Sequence, residues 1–196
     1  SGHGKVIIEI LESIHTPHIE IWDDADKEPV WDYPVSRPLA AGTPVTDKMV
    51  ISIGVNATRK KVAERLGDSV VFGTAIHATA IISKRAMTGD GSVVMAGAVV
   101  NADTRIGKHC IINTSATIDH DCVLGDYAHI SPNATLSGDV QVGEGTHIGS
   151  AASVIQGIRI GKWCTLGAGA VVINDIPDYA TAVGNPARVI KIKEQE

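Results

Sequence analysis

The sequence predicts a small N-terminal α/β unit followed by a left-handed parallel β-helix built from six-residue repeats. The first observation is a period. From Ile76 to Pro177 the chain divides, without insertion, into seventeen blocks of six, and every block but the one at Thr88 opens on an aliphatic residue such as Val94, Ile112, Ile130, Ile148 or Leu166. The second is the fifth place of the block, which holds small residues: Ala80, Ala98, Cys110, Ala116, Cys122, Ala134, Ala152, Cys164 and Ala170 among them, with Val140, Ile158 and Ile176 as larger exceptions. One large and one small inward position per six residues suits three short flat strands wound into a triangular coil of about eighteen residues. The third is that the 75 residues before Ile76 lack the period and must build a core of their own.

Each element follows from local pattern. Glycine in the second place of the block (Gly89, Gly107, Gly125, Gly143, Gly149, Gly161, Gly167) is expected to permit the backbone angles of the corners. Nearly six coils at roughly 4.8 Å each give a prism about 27 Å tall. In the N-terminal part, Gly2-His3-Gly4 opens an apolar-periodic helix through Val6, Ile7, Ile10, Leu11 and Ile14. A short strand from His18 to Trp22 ends at Asp23-Asp24. A second strand, Met49 to Ile53, leads into a helix from Thr58 to Leu66 that Gly67 terminates. That alternation is Rossmann-like, with the usual first strand expected before Ser1. The expected division is 1–72 for the α/β unit and 73–196 for the β-helix with its C-terminal tail.

Composition narrows the function classes. The net charge is −5, the pI about 5.9 and aromatics are only 4%, so no basic face is available for nucleic acid or anionic lipid. No apolar run approaches membrane-spanning length and no signal peptide is visible, so the expectation is a cytoplasmic protein without membrane insertion. Cys110, Cys122 and Cys164 all fall in the fifth, inward place, where they replace alanine as small hydrophobes; three cysteines without close pairing argue against disulfides and a zinc cluster.

Two sets of residues carry candidate chemistry. Glycines at a helix start let backbone amides approach a phosphate, and Asp24, twenty residues past Gly4, stands where a nucleotide-binding unit places an acid for ribose or base. Plain turns give the same pattern. The sharper set is Asn113, His120-Asp121 and His129. His120 occupies a third, outward place, Asp121 can orient it, and Gly138 lies one coil above it with a bare backbone amide suited to an oxyanion. The alternative is a solvated histidine, a reading that suits His15, His18, His77 and His109.

The stretch from Asn113 to Ser131 around His120-Asp121-Cys122, with Gly184-Asn185-Pro186-Ala187-Arg188 and the opening Ser1-Gly2-His3-Gly4-Lys5, resembles the bacterial nucleotide-sugar acetyltransferases. These include the UDP-4-amino-sugar N-acetyltransferases of the PglD kind within a broader NeuD-like group. The resemblance implies an acetyl-CoA-dependent enzyme needing no metal. His120 would be the general base, Asp121 would orient it with Asp119 as a local competitor, and the Gly138 amide would hold the tetrahedral intermediate. Asn113 and His129 would line the pocket where sugar and acetyl group meet. Gly149, Ala168, Gly184, Asn185, Pro186 and Arg188, with His129, would hold the cofactor; Arg188, Lys191 and Lys193 either meet CoA phosphates or form a solvated basic tail. Gly2, His3, Gly4, Asp23 and Asp24 would hold the nucleotide. The implied assembly is a homotrimer with active sites between subunits. Sugar O-acetylation is the neighbouring alternative and a non-catalytic β-helix scaffold the alternative from another class. A γ-type carbonic anhydrase needs a spaced histidine pair that is absent here.

Overall fold

The computed structural model describes residues 2–38 and 47–193; Ser1 of the opening motif lies outside them. The six-residue period becomes a three-sided prism. Face I starts at Ala75–Ile76 and carries eight strands, face II starts at Ile81–Ile82 and carries six, and face III starts at Met87–Thr88 and carries five. Partners across each parallel ladder are one coil apart: Ile111 with His129 and His129 with His147 on face I, Thr117 with Thr135 on face II, Arg105 with Val123 on face III.

Block openers point inward. Val94, Ile112, Ile130, Ile148 and Leu166 are buried, as are Ala98, Ala116, Ala134, Ala152 and Ala170 of the fifth place, and together they form one continuous core. Burying each aliphatic side chain contributes roughly 1.5–3 kcal/mol. Cys110, Cys122 and Cys164 stand in the same inward column. Burial lifts the Cys110 thiol to about 12 and the Cys122 thiol to about 11, which leaves no thiolate at neutral pH.

The corners are made differently from the expectation. Left-handed backbone angles fall in the fourth place of every block from Gly91 to Gly169, in non-glycine residues as well: Asp103, His109, Ser115, Asp121, Tyr127, Asn133, Asp139, Ala151 and Trp163 have φ between 53° and 61°. Such a conformation costs about 1–2 kcal/mol for a residue with a Cβ. A coil-to-coil hydrogen bond offsets the cost, as when the Asp121 N–H donates to Ala102 (3.0 Å) and the Asp139 N–H to His120 (2.9 Å). Second-place glycines serve close approach instead. A Cβ on Gly143 would stand 2.6 Å from the backbone of Gly161 and Lys162, and one on Gly125 would stand 2.6 Å from the Glu144 nitrogen.

The N-terminal unit contributes helix α1 (Gly2–Ser13), strands β1 (Ile21–Trp22), β2 (Val35–Ser36) and β3 (Lys48–Met49), helix α2 (Asn56–Leu66) and strand β4 (Val71–Phe72). Gly67 closes α2 at φ 49°, its N–H returning to the Ala63 carbonyl. The strands are shorter than their apolar runs suggest. β1 pairs parallel with β2 and β3 parallel with β4, as two separate ladders among the described residues. The β3 ladder ends at Met49, and farther along the chain Arg59 donates to the Ile53 and Gly54 carbonyls.

Both helices seat this unit on the prism. Ile7 and Ile10 of α1 pack on Ala75, Val93, Met95 and Ile111 of face I, and Ser13 Oγ accepts from the Ala78 N–H (3.2 Å). The helix therefore runs down face I with its C-terminal end on the first coil. At about 1.5 Å per residue it is roughly 18 Å long, which raises Gly2-His3-Gly4 about three coils, toward His129 and His147. α2 lies along the edge between faces III and I. Its Arg59 donates to the His109 carbonyl (2.8 Å) and the Tyr127 carbonyl (2.9 Å), and Asn56 donates to the Gly145 carbonyl (3.0 Å), one acceptor from each of three successive coils. Above, Ala180–Val183 joins face I and Arg188–Ile192 pairs antiparallel with it, so Gly184 to Ala187 form the turn at the top of the edge between faces I and II.

Two substitutions separate close approach from corner geometry. Gly143→Ala meets neighbouring backbone, whereas Gly157→Ala enters open space and pays only for its φ of 73°. Urea denaturation is expected to show Gly157→Ala destabilised by about 1–2 kcal/mol and Gly143→Ala by more.

Candidate active site

The candidate residues fall on two edges of the prism. His120 lies on the edge between faces II and III, largely exposed at 59%. Its Nδ1 is 2.8 Å from Asp121 Oδ2. The left-handed corner at Asp121 turns its carboxylate onto the adjacent ring. Asp119, the competitor for this role, is otherwise engaged: its Oδ1 accepts from the His120 backbone N–H and from Asn101 Nδ2 on the coil below (both 2.8 Å), while Thr104 Oγ1 donates to its carbonyl (2.7 Å). The Asp121 hydrogen bond, then the Asp119 charge, raises the His120 pKa above the ordinary histidine value.

Gly138 lies against the His120 ring. A Cβ at this position would stand 2.6 Å from Cε1 and 2.7 Å from Nε2, so only glycine admits the imidazole here without displacing it. The Gly138 N–H makes no hydrogen bond among the described residues. With Nδ1 committed to Asp121, Nε2 has no hydrogen-bond partner among the described residues, and the Cε1–Nε2 edge of the ring lies against Gly138.

The other edge, between faces I and II, carries Asn113 and, rising above it, Gly149, Ala168 and the Gly184–Ala187 turn. His129 projects from face I beside it. Asn113 Nδ2 is 3.1 Å from His129 Nε2, and one coil higher Ser131 Oγ is 2.7 Å from His147 Nε2. The two rings stack at 4.7 Å. Burial, then the neighbouring His147 and the Arg59 charge, drives His129 down to about 3; burial and Arg59 drive His3 to about 4. His3 Nε2 is buried without a partner. Asn113 and His129 are thus brought together, with His3 of α1 near enough to influence the His129 ring. His120 is not among them: a full face separates it from Asn113, roughly 20 Å at about 3.3 Å per residue. A shallow groove on face III, lined by Val123, Gln141, Arg159 and Pro177, contains neither histidine.

Asp23 and Asp24 are engaged within the N-terminal unit. Asp23 Oδ1 accepts from the Ala25 N–H (2.9 Å), and Asp24 Oδ2 pairs with Arg65 of α2 (2.8 Å). Arg188 Nη1 donates to the Ala187 carbonyl (3.0 Å); Lys191 and Lys193 follow it on the exposed hairpin strand and just past its end. His109 corrects its solvated reading. It is buried, edge-on to Phe72 (4.5 Å) and stacked with Tyr127 (5.2 Å), because β4 and α2 cover its edge.

Arg59, the largest fully buried side chain, was not singled out from sequence. Its signal was there: Arg59 falls on the same helical stripe as Ala63 and Leu66, a cation on the apolar side of α2. Among the described residues no group of histidine, cysteine and carboxylate side chains is arranged to hold a metal ion, and no helix is long and apolar enough to cross a membrane.

Both parts of the chain are similar to known proteins. Residues 1–66 match the PglD N-terminal domain, and residues 103–138 and 139–174 match the bacterial transferase hexapeptide (six repeats) model. The acetyltransferase domain of PglB from Neisseria gonorrhoeae FA1090 is 38% identical, with a TM-score of 0.92 over 97% of this chain and 96% of that one. The chain belongs to the PglD-like family of hexapeptide-repeat nucleotide-sugar acetyltransferases. A second family structure, PerB from Caulobacter crescentus in complex with CoA and GDP-perosamine, is 37% identical, with a TM-score of 0.90 over 97% of this chain and 94% of that one. UDP-N-acetylbacillosamine N-acetyltransferase of Bacillus subtilis (strain 168) is 46% identical over 106 residues, an alignment spanning about half of each chain, 48% of this one and 47% of that relative.

The buried histidines tie stability to pH. His3 and His129 are neutral in the fold but take a proton near the ordinary value of 6.5 when unfolded. The unfolded state binds more protons below that value, so their contribution is complete above it and is lost as pH falls toward 4. Each is expected to cost about 2 kcal/mol between pH 6.5 and pH 5. Urea titrations across that range check this; replacing His129 with Gln should flatten the slope.

Proposed function

We propose that this chain is an acetyl-CoA-dependent N-acetyltransferase acting on a nucleotide-linked amino sugar, with a UDP-4-amino-sugar favoured. The observation that carries the reading is His120: Nδ1 held by Asp121, Nε2 free, and the Gly138 amide beside it. Nε2 takes a proton from the sugar amine as the nitrogen attacks the thioester carbonyl. The Gly138 N–H holds the developing oxyanion, and collapse of the tetrahedral intermediate forms the amide and releases the CoA thiol, which leaves with the proton from His120. Family structures bound to acetyl coenzyme A and to CoA with GDP-perosamine support both ligand classes. The N-acetyltransferase relatives favour an amine over the hydroxyl of the O-acetylating alternative.

Gly149, Ala168 and the Gly184–Arg188 segment form a track of small residues up one edge, suited to an extended pantetheine, with Arg188 toward the phosphates. Gly2, His3 and Gly4 offer helix-start amides to the diphosphate. Asp24 would contact ribose or base with the carboxylate oxygen that Arg65 leaves open. The split of the candidate residues between two edges supports a homotrimer in which the His120 edge of one subunit meets the Asn113 edge of the next.

Three outcomes follow. His120→Ala is expected to lower turnover about 10²- to 10⁴-fold with CoA binding kept, measured by steady-state kinetics and calorimetry. Because Asp121 raises the His120 pKa, Asp121→Asn should move the acid limb of the kcat/KM profile to lower pH and lower the plateau. Mixing inactive His120→Ala subunits with inactive Asn113→Ala subunits should restore activity in mixed trimers; no recovery in verified mixed particles would exclude the shared site.

A further inference from the structure

Asp119 and Asp121 stand on either side of His120, and its Nδ1 takes one partner. The coil below decides which. Asp119 is fastened along its main chain, its N–H donating to the Leu136 carbonyl (2.9 Å) and its carbonyl accepting from Thr104 Oγ1 (2.7 Å). Its side chain is fastened separately: Oδ1 accepts from the His120 N–H and from Asn101 Nδ2, both at 2.8 Å. Because an ionised carboxylate only accepts, the Asn101 atom facing it is the amide nitrogen. Asn101 stands there by register. Val99-Val100 pairs with Thr117-Ile118 across one coil, so Asn101 follows its strand directly beneath Asp119, and its N–H donates to the Ile118 carbonyl (2.9 Å).

The two bonds on Asp119 Oδ1 do different things. The His120 N–H belongs to the residue the carboxylate would serve, and a single contact is a pivot about which Asp119 can turn toward the ring. A second donor, fixed in another coil and meeting the same oxygen, stops that turn. Asp121 has no such tie: among the described residues its carboxylate bonds only to His120 Nδ1 (2.8 Å). In that pose the ring lays its Cε1–Nε2 edge on Gly138.

We propose that Asn101 is a positioning residue of the base: from the coil below it holds the Asp119 carboxylate away from the imidazole, so that the ring turns to Asp121 and keeps its Cε1–Nε2 edge on Gly138. Asn101 acts through Asp119 rather than on the ring. Without it, Asp119 becomes a second partner for Nδ1 and draws the ring off Gly138. The charge around the ring stays the same while its aim is lost, and a misplacement of about 1 Å can cost about 10²-fold in rate. The inference rests on the reading of His120 as the base of an acetyltransferase, but its first test reads the imidazole directly and does not depend on turnover.

That test is an NMR titration of the His120 ring in the full chain, assigned through His120→Gln. The ionisable groups facing the ring are Asp121, Asp119 and, from the coil above, Asp139. Asp121→Asn is expected to lower the proton affinity of the ring by about three- to fivefold, the size of an exposed ion pair, because Asp119 is held and does not replace the lost partner. Adding Asn101→Ala should return the affinity to within about twofold of the parent, as the freed Asp119 takes Nδ1. A double variant that titrates like Asp121→Asn alone overturns the proposal. If Asn101→Ala fails to fold, Asn101→Ser decides, since its hydroxyl is too short to reach Asp119. The second test is kinetic. Asn101→Ala should lower kcat about tenfold with both KM values and the acid limb of the pH profile kept, and Asp119→Ala in the same chain should recover most of the loss. A parental kcat in Asn101→Ala, or a loss that Asp119→Ala leaves in place, overturns the positioning role. If the parent itself transfers no acetyl group to any nucleotide sugar, the reading of the site fails, and the titration still decides whether Asn101 selects the partner of the ring.

Discussion

Closing a triangular coil in eighteen residues is the constraint on which the rest depends. Three two-residue strands reach the next coil only if the chain turns sharply after each one, and the left-handed backbone in the fourth place of the block makes that turn. From His109 to Gly169 the N–H of that residue donates to a carbonyl of the coil below, so these corners stack on one another. Strain of about 1–2 kcal/mol at each of their non-glycine members is offset by this hydrogen bond and by the aliphatic stack inside. Because the repeat admits no insertion between Ile76 and Pro177, each outward position is carried up an unbroken column.

That column geometry divides the candidate residues between two edges. His120 and Gly138 share one edge in successive coils, which places the ring against a glycine of the next coil without any loop. Asn113, Gly149 and Ala168 share another edge for the same reason. A rigid prism cannot bend one edge toward the other, so a site that uses both must be completed by a second copy. The Asn113–His129 pair and the Ser131–His147 pair repeat each other one coil apart. Burial and the Arg59 charge lower the proton affinity of both imidazoles.

The N-terminal unit is fitted to the prism by its carbonyls. α2 reads three corner acceptors, His109, Tyr127 and Gly145, and Lys60 adds an ion pair to Glu144 at 2.6 Å. A buried guanidinium at this junction has a second effect. It holds its own charge, with its pKa lowered by burial only to about 10, and so depresses the nearby imidazoles.

The sequence alone determined the prism, its inward openers, the burial of the three cysteines and the outward place of His120, because each follows from a strict period that one residue type per position reveals. It also marked Gly138 as the neighbour of His120, since columns repeat every eighteen residues. Three matters were settled only in three dimensions. The corner conformation is invisible in composition, because the fourth place is filled by Asp, His, Ser, Tyr, Asn, Ala, Trp and Gly alike and is set by coil closure. The choice of Asp121 over Asp119 as partner of His120 depends on which carboxylate the preceding coil has already engaged, through Asn101. The low proton affinity of His3, His129 and His147 follows first from burial, to which the charge of Arg59 adds; that cation lies far from them in sequence and comes near them only when α2 packs against the edge.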